Sequence, residues 1–237
     1  MLSRSQEDHH QYYNSTFIAD AREVDKYWIE SDDLTTSHEM LSNSHRRAAT
    51  IQLKFSFPFY GHSIKNVTIA TGGFLYLGET VHSWLAATQY IAPLMANFDT
   101  SISNYSSIKY VNNETHFIVQ WKNVELQDQN PAGNFSFQVT LKNSGDIIFV
   151  YKSVPLPIAD IPDSKHPVKV GISDAYVIDR TVFFIRRKTI YEYHRADLKK
   201  ENISNNTAIY FTALPSESLA TRASILTPLL SFLPSSS

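Results

Sequence analysis

The 237-residue chain contains no cysteine. A disulfide scaffold, a thiol nucleophile and a cysteine-based zinc site are thereby excluded. It also lacks an excess of either charge. Twenty-one Lys and Arg against 23 Asp and Glu give a net charge of -2, and no basic stripe marks the chain for nucleic acid or an anionic membrane. The one basic run, Arg186-Arg187-Lys188, reads as a solvated strand end. Long apolar runs are missing too. The first ten residues carry no apolar stretch of the kind that drives secretion. The most apolar C-terminal segment, residues 225–234, holds two prolines and falls well short of the roughly 20 residues that span a bilayer. As written, the chain reads as soluble.

Catalytic patterns are equally scarce. There is no Gly-x-Ser-x-Gly elbow, no Gly-x-Gly-x-x-Gly and no P-loop; Gly72-Gly73 lacks the following helix that would present amides to phosphate. His9 and His10 lie in a polar stretch, and His62, His82, His116, His166 and His194 are scattered, with no helical His-x-x-x-His spacing. Asp99 and Asp174 each end an apolar stretch. They are the residue type of paired carboxylates or calcium ligands, but a carboxylate there more often caps a turn through its own backbone. Trp84 and Trp121 read as core or edge aromatics. The expectation is a non-enzymatic chain with no catalytic residue, cofactor or metal.

What is present points to β-structure. Hydrophobic residues make up 43% of the chain, with 14 Phe and 13 Tyr, and aromatics favour strands. Residues 1–48 are polar and without period; a turn or two of helix over 21–30 would dock through Val24, Tyr27 and Trp28. From residue 49, Ile51, Leu53, Phe55 and Phe57 alternate with polar residues, the signature of a half-buried strand. Pro58-Phe59-Tyr60-Gly61 is expected to end it. Further strands are expected at 67–70, 74–78, 115–121, 135–141, 146–152, 168–173, 180–185, 189–195 and 208–212, with a short helix over 80–91. Residues 153–167 hold four prolines and read as an extended loop. The pattern is all-β, sandwich or barrel-like, with about ten short strands over 49–213 and polar tails at 1–48 and 214–237.

The acceptor pattern Asn-x-Ser/Thr occurs at Asn14, Asn66, Asn104, Asn113, Asn134, Asn202 and Asn205. With 14 Asn and 44 Ser plus Thr in 237 residues, chance gives 14 × 44/237, about 2.6 such sites. Seven is an excess that favours a secreted or cell-surface domain. Asn66 is expected in the turn before a strand, Asn104 and Asn113 at loops, and Asn202 and Asn205 between strands. Asn134 is expected on the polar side of its hairpin, opposite Phe135 and Phe137. A glycan there would face solvent and shield that sheet face. For a partner surface, the turns around Thr71, Gly72, Gly73 and Asp99 are the candidates. A carbohydrate-binding β-sandwich is the alternative, with Tyr76, Trp84 and Tyr90 as exposed stacking platforms.

Several runs resemble the extracellular region of the plexin domain-containing protein family, also called the tumour endothelial marker 7 family. They are FPFYGHSIKNVTIATGGFLYLG (57–78), ATQYIAPLMANFD (87–99), VQWKNVELQD (119–128), FSFQVTL (135–141), HPVKVGISDAY (166–176) and RRKTIYEYHR (186–195). They are also similar to a nidogen-type extracellular domain, so the fold implied is an antiparallel, nidogen-like β-sandwich. The resemblance covers roughly residues 40–214. It implies a type I cell-surface glycoprotein of receptor or adhesion type, without enzymatic activity. Pigment epithelium-derived factor or matrix proteins are the implied partners. In the family a cysteine-rich plexin-semaphorin-integrin module and a membrane span follow the position of Leu214-Pro215. Here Ser216-Glu217-Ser218 follows instead. Membrane attachment is therefore expected only through a segment outside this sequence, and the chain itself is expected to be extracellular or incomplete.

Overall fold

The computed structural model describes residues 12–30, 36–37, 41–78, 89–128, 133–182, 185–198 and 200–214. Among these residues the elements are, in order, β1 (Tyr13–Ile18), α1 (Ala21–Asp25), β2 (Thr36–Ser37), β3 (Ala48–Phe59), β4 (His62–Ala70), β5 (Phe74–Tyr76), β6 (Tyr90–Met95), β7 (Phe98–Asp99), β8 (Ser107–Asn112), β9 (His116–Leu126), β10 (Phe135–Lys142), β11 (Ile147–Ser153), β12 (Lys169–Val182), β13 (Ile185–Asp197) and β14 (Thr207–Ala213). The strands form an eight-stranded sheet, β1-β14-β11-β10-β9-β8-β2 with β7 beside β9, and a six-stranded sheet, β13-β12-β6-β5-β4-β3. Adjacent strands run antiparallel, and the two sheets make a sandwich.

The inner faces supply the core. Phe137 lies opposite Trp121 on one side and Tyr151 on the other, and Val139 lies between Val119 and Phe149. All are buried. The Trp121 and Phe137 rings stack at 5.3 Å. Two aromatic donors cross between the sheets: Trp121 Nε1 donates to the Ala70 carbonyl at 2.9 Å, and the Tyr151 hydroxyl to the Pro93 carbonyl at 2.7 Å. Burying an aromatic body with a polar tip requires such a partner. Burial also holds the Tyr151 hydroxyl well above its ordinary pKa.

The alternation read from residue 49 is present, with Leu53, Phe57 and Phe59 inward. Pro58 does not end the strand. It pairs with Ser63 in the last rungs of β3, which is tolerated because β3 is the sheet edge and a missing N–H costs no ladder bond there. The chain reverses at Tyr60 and Gly61, both with positive φ (47° and 84°), the backbone of a tight two-residue hairpin. Where a single strand was expected over 180–185, Arg180 to Val182 end β12 and Ile185 begins β13; 183–184 lie outside the described residues. Most of the helix expected over 80–91 lies outside the described residues, and Tyr90 and Ile91 begin β6.

Residues 12–30 join the sheet rather than trailing from it. β1 pairs with β14 along six residues, so the eight-stranded sheet takes in a segment expected to be tail. Asp20 caps α1, its Oδ1 accepting from the Arg22 and Glu23 amides. Val24 is buried against Ile148, Val150 and Ala208 on the outer face of the sheet, with Tyr27 and Trp28 packed alongside. These are the docking residues expected from sequence.

That strap overturns one expectation for β10. Its polar side is not solvated: Ser136, Gln138 and Thr140 are buried. Gln138 Oε1 accepts from the Ile29 amide and its Nε2 donates to the Tyr27 carbonyl, while Gln120 Nε2 donates to the Ile29 carbonyl at 2.9 Å. Alternation separates polar from apolar side chains. It does not separate water from a covering backbone that offers the same hydrogen bonds.

Candidate functional site

Asparagine exposure comes first, because the acceptor sites were the main compartment signal. Asn14, Asn66, Asn104, Asn134, Asn202 and Asn205 are exposed. Asn134 stands just before β10, outside the covered face. Asn66 is not in a turn but on β4, opposite Gln52 and pointing outward. Asn113 differs. It is half-buried, its Oδ1 accepts from the Thr115 and His116 amides, and its Nδ2 lies 2.9 Å from His116 Nε2. The amide nitrogen that would carry a sugar is thus engaged.

The four residues expected at a partner surface are all buried, but they divide. Asp99 belongs to the framework, its Oδ1 accepting from the Ser101 amide and hydroxyl. Gly73 does too: its φ is +78°, and a Cβ there would sit 2.1 Å from the Leu94 carbonyl oxygen and 2.9 Å from the Phe137 ring. Only glycine fits. Thr71 and Gly72 instead line a cleft of about 390 Å³ at one end of the sandwich.

Four connections build this cleft. The lead-in to β3 is locked to the β4–β5 turn by a reciprocal pair: Thr71 N donates to the Arg47 carbonyl at 2.9 Å, and Arg47 N donates to Thr71 Oγ1 at 3.1 Å. Arg46 takes a left-handed conformation, φ 54°, an unfavourable one for a side chain of its size. The β6–β7 link closes from below through Ala96 N donating to the Gly72 carbonyl at 3.0 Å. The segment before β12 brings Lys165, His166 and Pro167 to the rim. The floor is apolar, made by Ala70, Phe74, Met95, Ala96 and Phe98.

The polar wall is a chain of bonds. Lys165 Nζ donates to Asp128 Oδ1 at 2.7 Å, Asn97 Nδ2 donates to Asp128 Oδ2 at 2.6 Å, and Asn97 Oδ1 lies 2.9 Å from His45 Nε2. Because Asn97 Oδ1 can only accept, His45 Nε2 carries a proton. The Lys165 ammonium and then the Asn97 amide hold the Asp128 carboxyl below its ordinary range, so this one acid is already satisfied. Burial, with Arg46 and His45 nearby, lowers the His166 pKa. The neutral ring carries its proton on Nδ1, which donates to the Pro167 carbonyl at 2.9 Å. Arg46 and Arg47 are exposed, and no carboxylate among the described residues pairs with either.

Asp99 and Asp174 are not brought together. Asp174 is buried and meets His62 Nε2 at 3.3 Å and Gln89 Nε2 at 3.1 Å. Asp99 shares neither partner. Among the described residues no three His, Asp or Glu side chains are placed to hold a metal. Tyr76 and Tyr90 are buried, so neither is the exposed platform the carbohydrate alternative requires; Trp84 and His82 lie outside the described residues. A second hollow of about 460 Å³ is lined by Tyr12, Tyr13, Tyr60, Ser56 and Ser63 among others, but the two serine hydroxyls already bond each other at 2.5 Å. Sequence reading found the turn at 71–73 but not Arg46, Arg47, Asn97, Asp128 or Lys165. They come from four separate segments, and no local spacing connects them.

No helix among the described residues is long and apolar enough to cross a membrane. No solved structure matches the chain. The model of the family described as "NIDO related" matches residues 25–213, from the end of α1 through the last residue of β14. That span takes in every strand of both sheets except β1, the strap residues Tyr27 to Ile29 and every wall of the cleft, and it establishes that the chain belongs to the NIDO-related family.

Proposed function

We propose that this chain is the protein-recognition domain of an extracellular glycoprotein of receptor or adhesion type. It binds a secreted or matrix protein and carries out no catalysis. The observation that carries the reading is the combination of a nidogen-related domain over 25–213 with six exposed acceptor asparagines. Nidogen-related domains are extracellular protein-interaction domains, and sugars on Asn14, Asn66, Asn104, Asn134, Asn202 and Asn205 would leave the core untouched. The resemblance to the plexin domain-containing family supports the finer assignment, a cell-surface receptor whose partner is pigment epithelium-derived factor or a matrix protein.

The test has two parts. The domain is secreted from an animal cell behind an added leader and treated with a glycan-removing amidase, and Asn-to-Asp conversion is mapped by mass spectrometry. Occupied Asn66, Asn134 and Asn202 are expected. The glycosylated protein is then passed over immobilised pigment epithelium-derived factor and purified basement-membrane proteins. Saturable binding to at least one is expected. Folded, secreted protein with empty sites and no binding to the panel would sink the reading.

A further inference from the structure

We propose that the cleft rimmed by Arg46 and Arg47 is a docking site for a short segment of a protein partner in which carboxylate and apolar side chains alternate. This rests on the reading above that the domain recognises proteins, and it names the chemistry of what is recognised.

Charge is the first argument. Arg46, Arg47 and Lys165 line the cleft and no described acid does; Asp128, beside it, is engaged by Lys165 and Asn97. His45 is committed to Asn97 and His166 to Pro167. Neither guanidinium forms a hydrogen bond or ion pair with a described residue; Arg46 acts on Asp128 only through its charge. A guanidinium pairs with a carboxylate through two parallel hydrogen bonds, a geometry an ammonium does not reproduce.

The second argument is the floor. Phe74, Met95 and Phe98 line the same cleft as the cations, with Phe74 the most accessible of the three. A sulfated glycan chain would meet the arginines but would leave that floor uncovered by anything apolar. A peptide that alternates acidic and apolar side chains meets both. Buried apolar anchors surrounded by a charged rim are the usual anatomy of a protein contact. The cleft volume of about 390 Å³ fits one or two such side chains rather than a helix.

The third argument is rigidity. The arginines sit on backbone tied by the Arg47–Thr71 reciprocal bonds and the Ala96–Gly72 bond. A His166 nitrogen lies 3.4 Å from where a Gly72 Cβ would be, so side chains close over the turn. A site held this way loses little freedom on binding.

The experiment uses the folded domain and fluorescence anisotropy. The probes are a labelled hexapeptide alternating glutamate and phenylalanine, its glutamine–phenylalanine and glutamate–glycine counterparts, and a labelled heparin octasaccharide. The first peptide is expected to bind about tenfold more tightly than either counterpart. Binding should weaken several-fold between about 50 and 300 mM salt. The double variant Arg46→Ala/Arg47→Ala should lose about tenfold with its melting temperature unchanged, since both side chains are exposed. Equal binding by the double variant, equal binding of the three peptides, or no peptide binding at all would overturn the proposal. So would an arginine-dependent loss seen with heparin alone, which would make the cleft a sulfated-glycan site. The same double variant on the matrix-protein panel separates the two readings. Undiminished panel binding removes the cleft from recognition and leaves the domain's function standing. Peptide binding without any panel binding does the reverse.

Discussion

The two faces of the eight-stranded sheet are built from alternate residues of the same strands, yet they are buried by different means. On the inner face Phe137, Val139 and Leu141 of β10 meet Trp121, Val119 and Phe117 of β9, and the opposing sheet covers them. On the outer face Gln138 and Thr140 lie opposite Gln120 and Ile118, and a strap from residues 20–29 covers them with one buried valine and several hydrogen bonds. The inner face is held by area removed from water, which is non-directional. The outer face is held largely by hydrogen bonds to the strap, with the buried Gln120 Oε1 left unpaired; the net gain of each bond is small and its loss is costly. The difference teaches that a polar residue on a strand need not mark solvent. It can mark the place where another part of the chain must lie.

Substitutions should separate the faces by size of effect. The largest loss is expected at the inner face. Phe137→Ala should lower unfolding free energy in a denaturant titration by about 3–5 kcal/mol. Gly73→Ala, which pushes a methyl into the Leu94 carbonyl below Phe137, should cost more than about 3 kcal/mol. A cost below about 1 kcal/mol at either would mean the sheets are not packed as described.

The outer face should yield less. Gln138→Leu strands the Ile29 amide and the Tyr27 carbonyl. It should cost about 1–3 kcal/mol and speed hydrogen exchange at the Ile29 amide while Val139 stays protected. Unchanged exchange at Ile29 would show that the glutamine does not hold the strap. Smaller again is Asp20→Ala, which removes the cap of α1 and should cost about 1 kcal/mol. Protease cleavage near residue 20 should rise without loss of the core's near-ultraviolet signal.

The smallest effect extends the comparison to the other sheet, where the buried Asp174 carboxylate is met by the exposed imidazole of His62. The hydrogen bond to Asp174 raises the His62 pKa above 6.5. Protonated His62 is therefore favoured by the fold, so its stabilisation is complete below pH 6.5 and fades as pH rises through the higher folded value. His62→Ala should cost more at about pH 5.5 than at about pH 8.5, by less than about 1 kcal/mol given solvent screening. A larger cost at the alkaline end would reverse the assignment.

Legibility in the sequence followed the strength of the period. β3 and β10 alternate cleanly and were readable, while β11, apolar over its first five residues, was readable from its length and the preceding turn. β6 was not, because all six of its residues, Tyr90–Met95, are buried and no alternation survives. Its Pro93 sits where the pairing to β12 slips register, the one place a central strand admits proline. β1 was hidden in polar sequence because a strand at the sheet edge needs little apolar surface. In β9, Asn123 with φ 53° marks an extra residue, as Val124 and Trp121 face Phe135 and Phe137. The bulge keeps both phenylalanines inward. Of the candidate site, only the turn at Thr71 and Gly72 was visible. Arg46, Asn97, Asp128 and Lys165 meet through the sheet order, and nothing in their spacing announces it.

By itself the sequence determined the all-β class, the absence of cysteine chemistry, the inward aromatics of each alternating strand and the acceptor asparagines, because each of these is a local property of residue type and period. Only the tertiary structure decided that the polar side of β10 is covered, that Gly73 and Asp99 are framework, that Asn113 is engaged, and that two distant segments bring Arg46, Arg47 and Lys165 to one apolar-lined cleft. The reason is physical. A period reports which face of a strand is apolar, but what lies on that face, and which loops share an end of the sandwich, depend on non-local contacts whose partners are far apart in the chain.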